Sequence, residues 1–407
     1  MAPKLQRRLG LYLLTFYGLG NILGAGIYVL IGKVAASAGL YAPISFAIAA
    51  LVAGFTAFSY AELSARFPVS AGEAVYLEKA LGKRWLTLAV GILIALAGMV
   101  SAATISRGFV GYLDVFVAAP PAVVLTLLLL VLGALAAWGI SQSVKFAAVL
   151  TLLEIVGLVL VISVASDSLM LLPERLPELL PTAEPLLWQG IFMGAFLAFY
   201  AYIGFEDMVN VAEEVKDPQR TLPRAILLAL VISTLLYLLV SLVATLSVPV
   251  EALARSDAPL ALIYQTATGR EPVLITQIAL FAVVNGALIQ IIMASRVFYG
   301  MASQGWLSVR LAGLARVHSM TGTPVLATGL VTLMVLVMAL WLPLLTLARI
   351  TSFIVLLVFV LINMALLMIK RRDPSPVGVT VYPSWLAMMG LLLTLSLLGF
   401  ELFVKFN

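Results

Sequence analysis

Apolar runs of about 20 residues follow one another from end to end of this chain, separated by short polar segments. A run of that length crosses a hydrocarbon core of ~30 Å as one helix. The pattern predicts eleven spans, at about 11–38, 42–64, 85–116, 121–138, 146–165, 188–212, 224–248, 272–301, 324–342, 345–369 and 384–404. Solid runs, rather than alternation, exclude a β-barrel. Two spans are interrupted in the middle. The first carries Gly18-Leu19-Gly20 and Gly24-Ala25-Gly26, the sixth Gly204-Phe205-Glu206-Asp207. Hydrocarbon cannot satisfy freed backbone groups, so a break at membrane depth has to face protein or a water-filled cavity. One break in each half is the sequence pattern of a transporter binding site.

A segment rich in Pro and acid, 166–187, separates span 5 from span 6 and reads as an outer loop. Spans 1–5 and 6–10 then start on opposite sides, an inverted 5+5 repeat in topology. The expected organisation is a single transmembrane domain: 1–165 as the first repeat, 188–369 as the second, and 384–404 as an additional helix. Segment 65–84 reads as helix-like, and 213–224 as a loop with a turn at Asp217-Pro218.

Composition agrees with an all-α polytopic membrane protein: 63% of the 407 residues are hydrophobic and 11% are charged, against about 25% charged in soluble domains. The basic residues fix the expected orientation. With the N-terminus inside, Lys4, Arg7, Arg8, Arg66, Lys79, Lys83, Arg84, Lys145, Lys216, Arg220, Arg224, Arg296, Arg310, Arg316, Lys370, Arg371 and Arg372 fall on the cytoplasmic side, 17 of the 24 Lys and Arg. The positive-inside rule therefore places the chain in the cell (inner or plasma) membrane with a cytoplasmic N-terminus. All six tryptophans lie at predicted span ends, the headgroup level their rings prefer. The net charge of +5 follows from this bias and does not call for nucleic acid. Ala35-Ala36-Ser37-Ala38 has small residues like a cleavage site, but the apolar stretch before it is too long for a signal peptide. Cysteine is absent and His318 is the only histidine. That leaves no disulfide-linked subunit, no thiolate metal site and none of the usual catalytic sets. No P-loop appears, which argues against direct coupling to ATP.

The candidate chemistry lies in the breaks and in a few intramembrane polar residues. At Gly24-Ala25-Gly26, small residues let the backbone leave helical geometry. The exposed amides and the positive end of the next half-helix can hold a carboxylate. Close helix packing through small residues is the alternative. In the second break, Tyr200 and its aromatic neighbours can close over a ligand. Glu206 and Asp207 each cost about 2.5–3.5 kcal/mol at a span centre unless they face protein or water. Asp207 reads as a brace for the broken helix. Glu206 reads either as a brace or as a group that responds to ligand or proton. Glu154 follows Lys145 by nine residues, ~13 Å of helix, close to the midplane of span 5. A buried carboxylate finds a cation or takes a proton, and both suit ion coupling; a static hydrogen bond to a neighbouring helix is the plainer alternative. Asn285, followed by Gly286, reads as a pocket residue or a helix-packing amide. Glu213 and Glu214 read as an inner gate with Lys216, Arg220 or Arg66, or as solvated. Arg107 and Asp114 lie ~10 Å apart along a helix, so Arg107 needs another partner. Lys33 can snorkel outward.

Four motifs carry a resemblance. Asn21-Ile22-Leu23-Gly24-Ala25-Gly26-Ile27-Tyr28, Phe67-Pro68-Val69-Ser70-Ala71-Gly72, Ala212-Glu213-Glu214-Val215-Lys216-Asp217-Pro218-Gln219-Arg220 and Ala294-Ser295-Arg296-Val297-Phe298-Tyr299-Gly300 resemble, in family order, those of the amino acid–polyamine–organocation superfamily. The resemblance covers spans 1–10 and implies the LeuT-type fold and alternating access. It also implies substrate contacts at Ile22, Gly24, Ala25 and Gly26 and at Ala201, Ile203 and Gly204, with Tyr200 as the gating aromatic. Many sodium-independent relatives carry a lysine on span 5 where Glu154 stands, so this chain departs from the lysine mechanism. The expectation is a secondary active transporter for amino acids, with Glu154 loading a proton or, second, a sodium ion. A polyamine or organic-cation carrier, an exchanger, and a membrane amino acid sensor are the alternatives. No cofactor is expected.

Overall fold

The computed structural model describes residues 7, 9–24, 26–69, 72–138, 143–318 and 321–406. The described chain is helical, with one isolated bridge between Leu9 and Val215. The α-helices are α1 Leu11–Leu23, α2 Gly26–Ala38, α3 Ala42–Arg66, α4 Gly72–Leu81, α5 Arg84–Asp114, α6 Pro121–Trp138, α7 Ser143–Val164, α8 Leu172–Leu179 and α9 Pro185–Phe199. After these come α10 Pro218–Ser247, α11 Val250–Arg255, α12 Pro259–Thr268, α13 Val273–Ser303, α14 Val325–Trp341, α15 Leu344–Arg372 and α16 Ser384–Phe406.

Eight stretches are long and apolar enough to cross a membrane, or nine if the bent α7–α8 pair is counted as one span. One of the eight runs from Leu11 to Arg66 and holds two predicted spans, and α14 is an apolar helix just short of membrane length. Each of the eleven predicted spans is thus matched by helix. The protein is an all-helical, multi-pass membrane protein.

Three details differ from the pattern reading. Segment 166–187 is largely helical: a 3-10 turn at Ser166–Leu171 leads into α8, bent 51° from α7. Pro173 in the first turn of α8 and Glu174 beside it are N-terminal helix residues, since proline there loses no hydrogen bond and the acid meets the positive helix end. α10 begins at Pro218, six residues before the predicted span, because Asp217 turns the chain in the left-handed region (φ 46°) and Pro218 starts the helix directly. Short helices α11 and α12 fill a connection left unassigned by the apolar pattern. The predicted helix in 65–84 is α4.

The packing brings the two interrupted segments together at the centre. α1 lies against α7, α10 and α13, α2 lies against α9, and α5 runs along α13 and α15. α4 crosses between α5 and α15 at the Lys/Arg-rich end. There Leu9 N donates to Glu214 O and Lys216 N to Leu9 O (3.0 and 2.8 Å). These bonds tie the segment before α1 to the end of the second interrupted segment. Lys33 pairs with Asp257 at 3.3 Å, while Arg107 donates to Ala339 O and Leu340 O (2.7 and 3.1 Å). The partner that Arg107 needed is therefore the C-terminal carbonyls of α14, which have no acceptor role inside their own helix.

Candidate functional site

The second interruption is a true departure from helix. α9 ends at Phe199, and Tyr200–Tyr202 forms one 3-10 turn. Ile203 is extended, Gly204 takes φ 129°, and Glu206–Glu214 continues as 3-10 helix. Only glycine adopts that φ without strain, and a Cβ at Gly204 would lie 2.9 Å from the carbonyl carbon of Asn21. The freed peptide groups are taken up by side chains. Gly204 N donates to Glu206 Oε2 at 2.8 Å, and Asn21 Nδ2 donates to Gly204 O at 3.0 Å. Asp207 Oδ2 accepts from Asn21 Nδ2 (2.8 Å) and from Gln290 Nε2 (3.1 Å). Asp207 is thus the expected brace, joining α1, α13 and the interrupted segment. Glu206 braces the break through one oxygen.

The first interruption is shallower. Gly24 is still α-like and its N–H reaches Gly20 O; Ala25 lies outside the described residues. Gly26 begins α2, and a Cβ there would collide with Ala201 Cα in the second break. Gly24 sits against Ala282 O and Gly286 of α13. The two breaks are therefore closed on each other, glycine against backbone. Tyr237 of α10 joins them: its Oη lies 2.7 Å from Ile22 O and 2.9 Å from Ala201 O. One hydroxyl proton serves two carbonyls, one from each break. Tyr200 is buried and bonded to α5, its Oη 3.0 Å from Ser101 Oγ and 3.2 Å from Ser101 O.

Glu154 and Asn285, read separately in the sequence, meet. Asn285 Nδ2 donates to Glu154 Oε1 at 3.0 Å, and both residues are buried. Glu154 Oε2 is buried with no hydrogen-bond partner. Tyr28 of α2 donates to Glu154 O at 2.7 Å, and Tyr112 donates to Tyr28 O at 2.6 Å. The backbone of α7 at Glu154 is thereby linked to the half-helix that follows the first break.

A small cavity of about 20 Å³ lies beside the second break, lined by Ile203, Glu206, Asp207, Ser101, Gln290 and, from the basic end, Tyr60 and Glu73. A volume of that size holds about one water molecule. Glu73 belongs to α4, outside the spans, and is fully buried. Burial pushes its carboxyl up to about 8; a backbone hydrogen bond opposes this and the nearby Asp207 adds to it. The folded protein therefore keeps a proton that the unfolded chain gives up near the ordinary value of 4.5. Stability linked to Glu73 is full below about 4.5, falls as pH rises, and levels off above about 8. Thermal unfolding in detergent between pH 5 and 9 is expected to show a fall in wild-type Tm with pH that Glu73→Gln flattens. Parallel curves for the two proteins would contradict the assignment.

Several residues of this region were not picked out from the pattern. Gln290 and Tyr237 sit in apolar spans as single polar groups, and only their partners reveal their role. Tyr60 and Glu73 flank a loop motif whose Ser70 and Ala71 lie outside the described residues. Glu62 does carry a signal, an acid four residues before Arg66 in an apolar span. Glu62 Oε1 accepts from Arg66 (2.7 Å), and its Oε2 accepts from Lys370 Nζ (2.8 Å) and Tyr382 N (2.9 Å). Arg66 also reaches Asp373 O at 2.8 Å, so it serves Glu62 and the α15–α16 connection. Among the described residues no three His, Cys, Asp or Glu converge to hold a metal ion.

Comparison with known proteins places this arrangement among permeases. The sequence pattern described as "Amino acid permease" matches residues 9–406. The chain is similar to the branched-chain amino acid permease BcaP of Bacillus subtilis, 31% identical over 99% of this chain and 90% of that protein. It is similar to the methylthioribose transporter of the same organism, 29% identical over 92% of this chain and 83% of that protein. It also resembles the vacuolar cationic amino acid transporter 4 of Arabidopsis thaliana, 30% identical over 92% of this chain and 65% of that protein. These relatives are permeases and transporters, not enzymes.

Proposed function

We propose, from the premise that this chain belongs to the amino acid permease family, that it carries amino acids by alternating access with proton symport. The observation that supports this reading most is the junction of the two breaks. Peptide groups from both are held by replaceable side-chain bonds from Tyr237, Asn21 and Glu206. A ligand with one carboxylate and one ammonium offers the same donors and acceptors, so it can part the breaks without leaving buried polar groups unpaired. Ile22, Gly24, Ala25, Gly26, Ala201, Ile203 and Gly204 would then line the opened site. Tyr200 would close over it.

Coupling falls to Glu154. One oxygen is held by Asn285 and the other has no hydrogen-bond partner; a proton bound there would remove the buried charge. Tyr28 of α2 is bonded to the main-chain carbonyl of Glu154, so a shift of α7 on loading would be felt at the half-helix after the first break. The orientation that fits the basic residues has the N-terminus in the cytoplasm.

Uptake into proteoliposomes of the purified protein tests both parts. An inward pH gradient is expected to drive accumulation of an amino acid. Glu154→Gln is expected to remove the response to the gradient, a drop of about tenfold or more, while counterflow of the same substrate persists. Undiminished proton-driven uptake in that variant would reject the coupling role. Binding with no counterflow in the wild type would make the protein a sensor instead.

A further inference from the structure

We propose that the cleft where the α4–α5 turn meets the end of α13 is a docking site for an anionic phospholipid. Arg84 would hold the phosphate, with Lys83 and Lys79 beside it, and the acyl chains would lie along neighbouring exposed apolar side chains. The site is separate from the breaks and independent of substrate and coupling ion.

The cleft has a volume of about 330 Å³ and is lined by Glu78, Gly82, Arg84, Thr87, Gln304 and Trp306. Arg84 bridges its two walls, since Nη2 donates to Gly305 O at 2.9 Å. That uses one of the five donors of the guanidinium. Lys79 at the end of α4 and Lys83 in the turn are exposed, and Arg372 of α15 reaches Lys79 O at 3.4 Å. Elsewhere at this basic end the cations are answered internally: Glu62 pairs with both Arg66 and Lys370. Here, among the described residues, Lys79, Lys83, Arg84 and Arg372 have no acid within ion-pair distance. Glu78 is the one acid in the lining, so positive charge is left in surplus.

The second observation is apolar. The connection 304–324 joins α13 to α14 and so lies at a membrane face. It nonetheless presents Val309 (92% exposed), Leu311 and Val317 outward, with Arg310 and Arg316 among them. Trp85, next to Arg84, is exposed as well. A connection facing bulk water gains nothing from bare valines. Apolar groups interleaved with cations suit the boundary between headgroups and acyl chains, the level that tryptophan also prefers. A soluble anion would meet the cations and leave the valines in water; a lipid satisfies both. A negative headgroup is favoured over a zwitterionic one because each Lys or Arg near the surface adds to the attraction. The volume of the cleft is the room of roughly ten waters, enough for a phosphate and its glycerol.

The test uses the purified full-length chain in a neutral detergent and three probes: phosphatidylglycerol, phosphatidylcholine with the same acyl chains, and glycerol 3-phosphate. Phosphatidylglycerol is expected to raise Tm by about 3 °C or more in a saturable way, and the other two by less than about 1 °C. Lys83→Gln/Arg84→Gln is expected to weaken the apparent affinity for phosphatidylglycerol about tenfold or more. Lys216→Gln/Arg220→Gln, which removes as much charge from a different segment, is expected to change it less than about twofold. If the first variant does not fold, Lys79→Gln/Lys83→Gln serves, because it keeps the bond from Arg84 to Gly305. Equal stabilisation by phosphatidylcholine would overturn the site. So would glycerol 3-phosphate acting as well as the lipid, which would make the cleft a soluble-anion site. An affinity unchanged in the cleft variants, or lowered as much by the pair at 216 and 220, would also overturn it.

Discussion

Replacing Glu62 with glutamine is expected to destabilise the protein by about 3–5 kcal/mol, the cost of leaving buried charges without their counter-ion. The Glu62 side chain is fully buried, and those of Arg66 and Lys370 are 2% and 8% exposed. One carboxylate serves both cations, at 2.7 and 2.8 Å, and also accepts the N–H of Tyr382. Lys370 Nζ donates to Tyr382 O as well. The carboxylate therefore joins α3, α15 and the connection into α16. Glutamine keeps the shape and one acceptor but leaves Lys370 without its counter-ion and Arg66 with only the exposed Asp373 at 3.7 Å. Thermal unfolding in detergent should show a large fall in Tm. The double variant Glu62→Gln/Lys370→Met should recover at least half of the loss, because it removes one of the stranded charges. A single variant as stable as the wild type would show that the acid is not holding these helices together.

Gly26→Ala is expected to lower uptake by about tenfold or more while much of the fold survives. The added methyl would enter the volume of Ala201 Cα, a backbone atom of the second break. A flexible side chain can swing aside, whereas a backbone atom can move only with its segment. Overpacking of this kind costs about 1–3 kcal/mol or more, here charged specifically to the state in which the breaks touch. The same change leaves a state with parted breaks unharmed, so the variant should shift the population towards it. Counterflow and tight-binding measurements on Gly26→Ala would reveal this as lost turnover with ligand binding retained. Wild-type turnover would mean that the closed contact plays no part in the cycle.

The spans were legible because burial in hydrocarbon writes itself into length and composition. Each of the eleven apolar runs is matched by helix, eight or nine stretches being of membrane length, and the helix expected at 65–84 is present as α4. The break at Gly204 was legible for a similar reason: two acids after a glycine cannot sit in uninterrupted lipid-facing helix. Its mate at Gly24-Ala25-Gly26 was legible as small residues, but the motif served both readings offered for it. In this structure Gly26 is a close-packing glycine at the edge of an interruption. Segment 166–187 was read as loop because proline and acid dominate it, and Pro173 and Glu174 instead occupy the first turn of a short helix there. The pairing of Glu154 with Asn285 joins positions 131 apart in sequence. Asp207 with Asn21 spans 186 positions.

What the sequence determined alone is that the chain is helical and crosses the membrane many times, where its apolar runs and basic residues lie, the family motifs and the few polar residues that hydrocarbon would not tolerate unaccompanied. Tertiary structure decided who accompanies them. A buried polar group has to be satisfied, and the sequence shows that requirement as a single odd residue in an apolar run. The partner is chosen by helix packing, which brings Tyr237 between two carbonyls and leaves Tyr60, Glu73, Glu206 and Asp207 around a common space. Packing acts through distance in space, and no local pattern of residues encodes it.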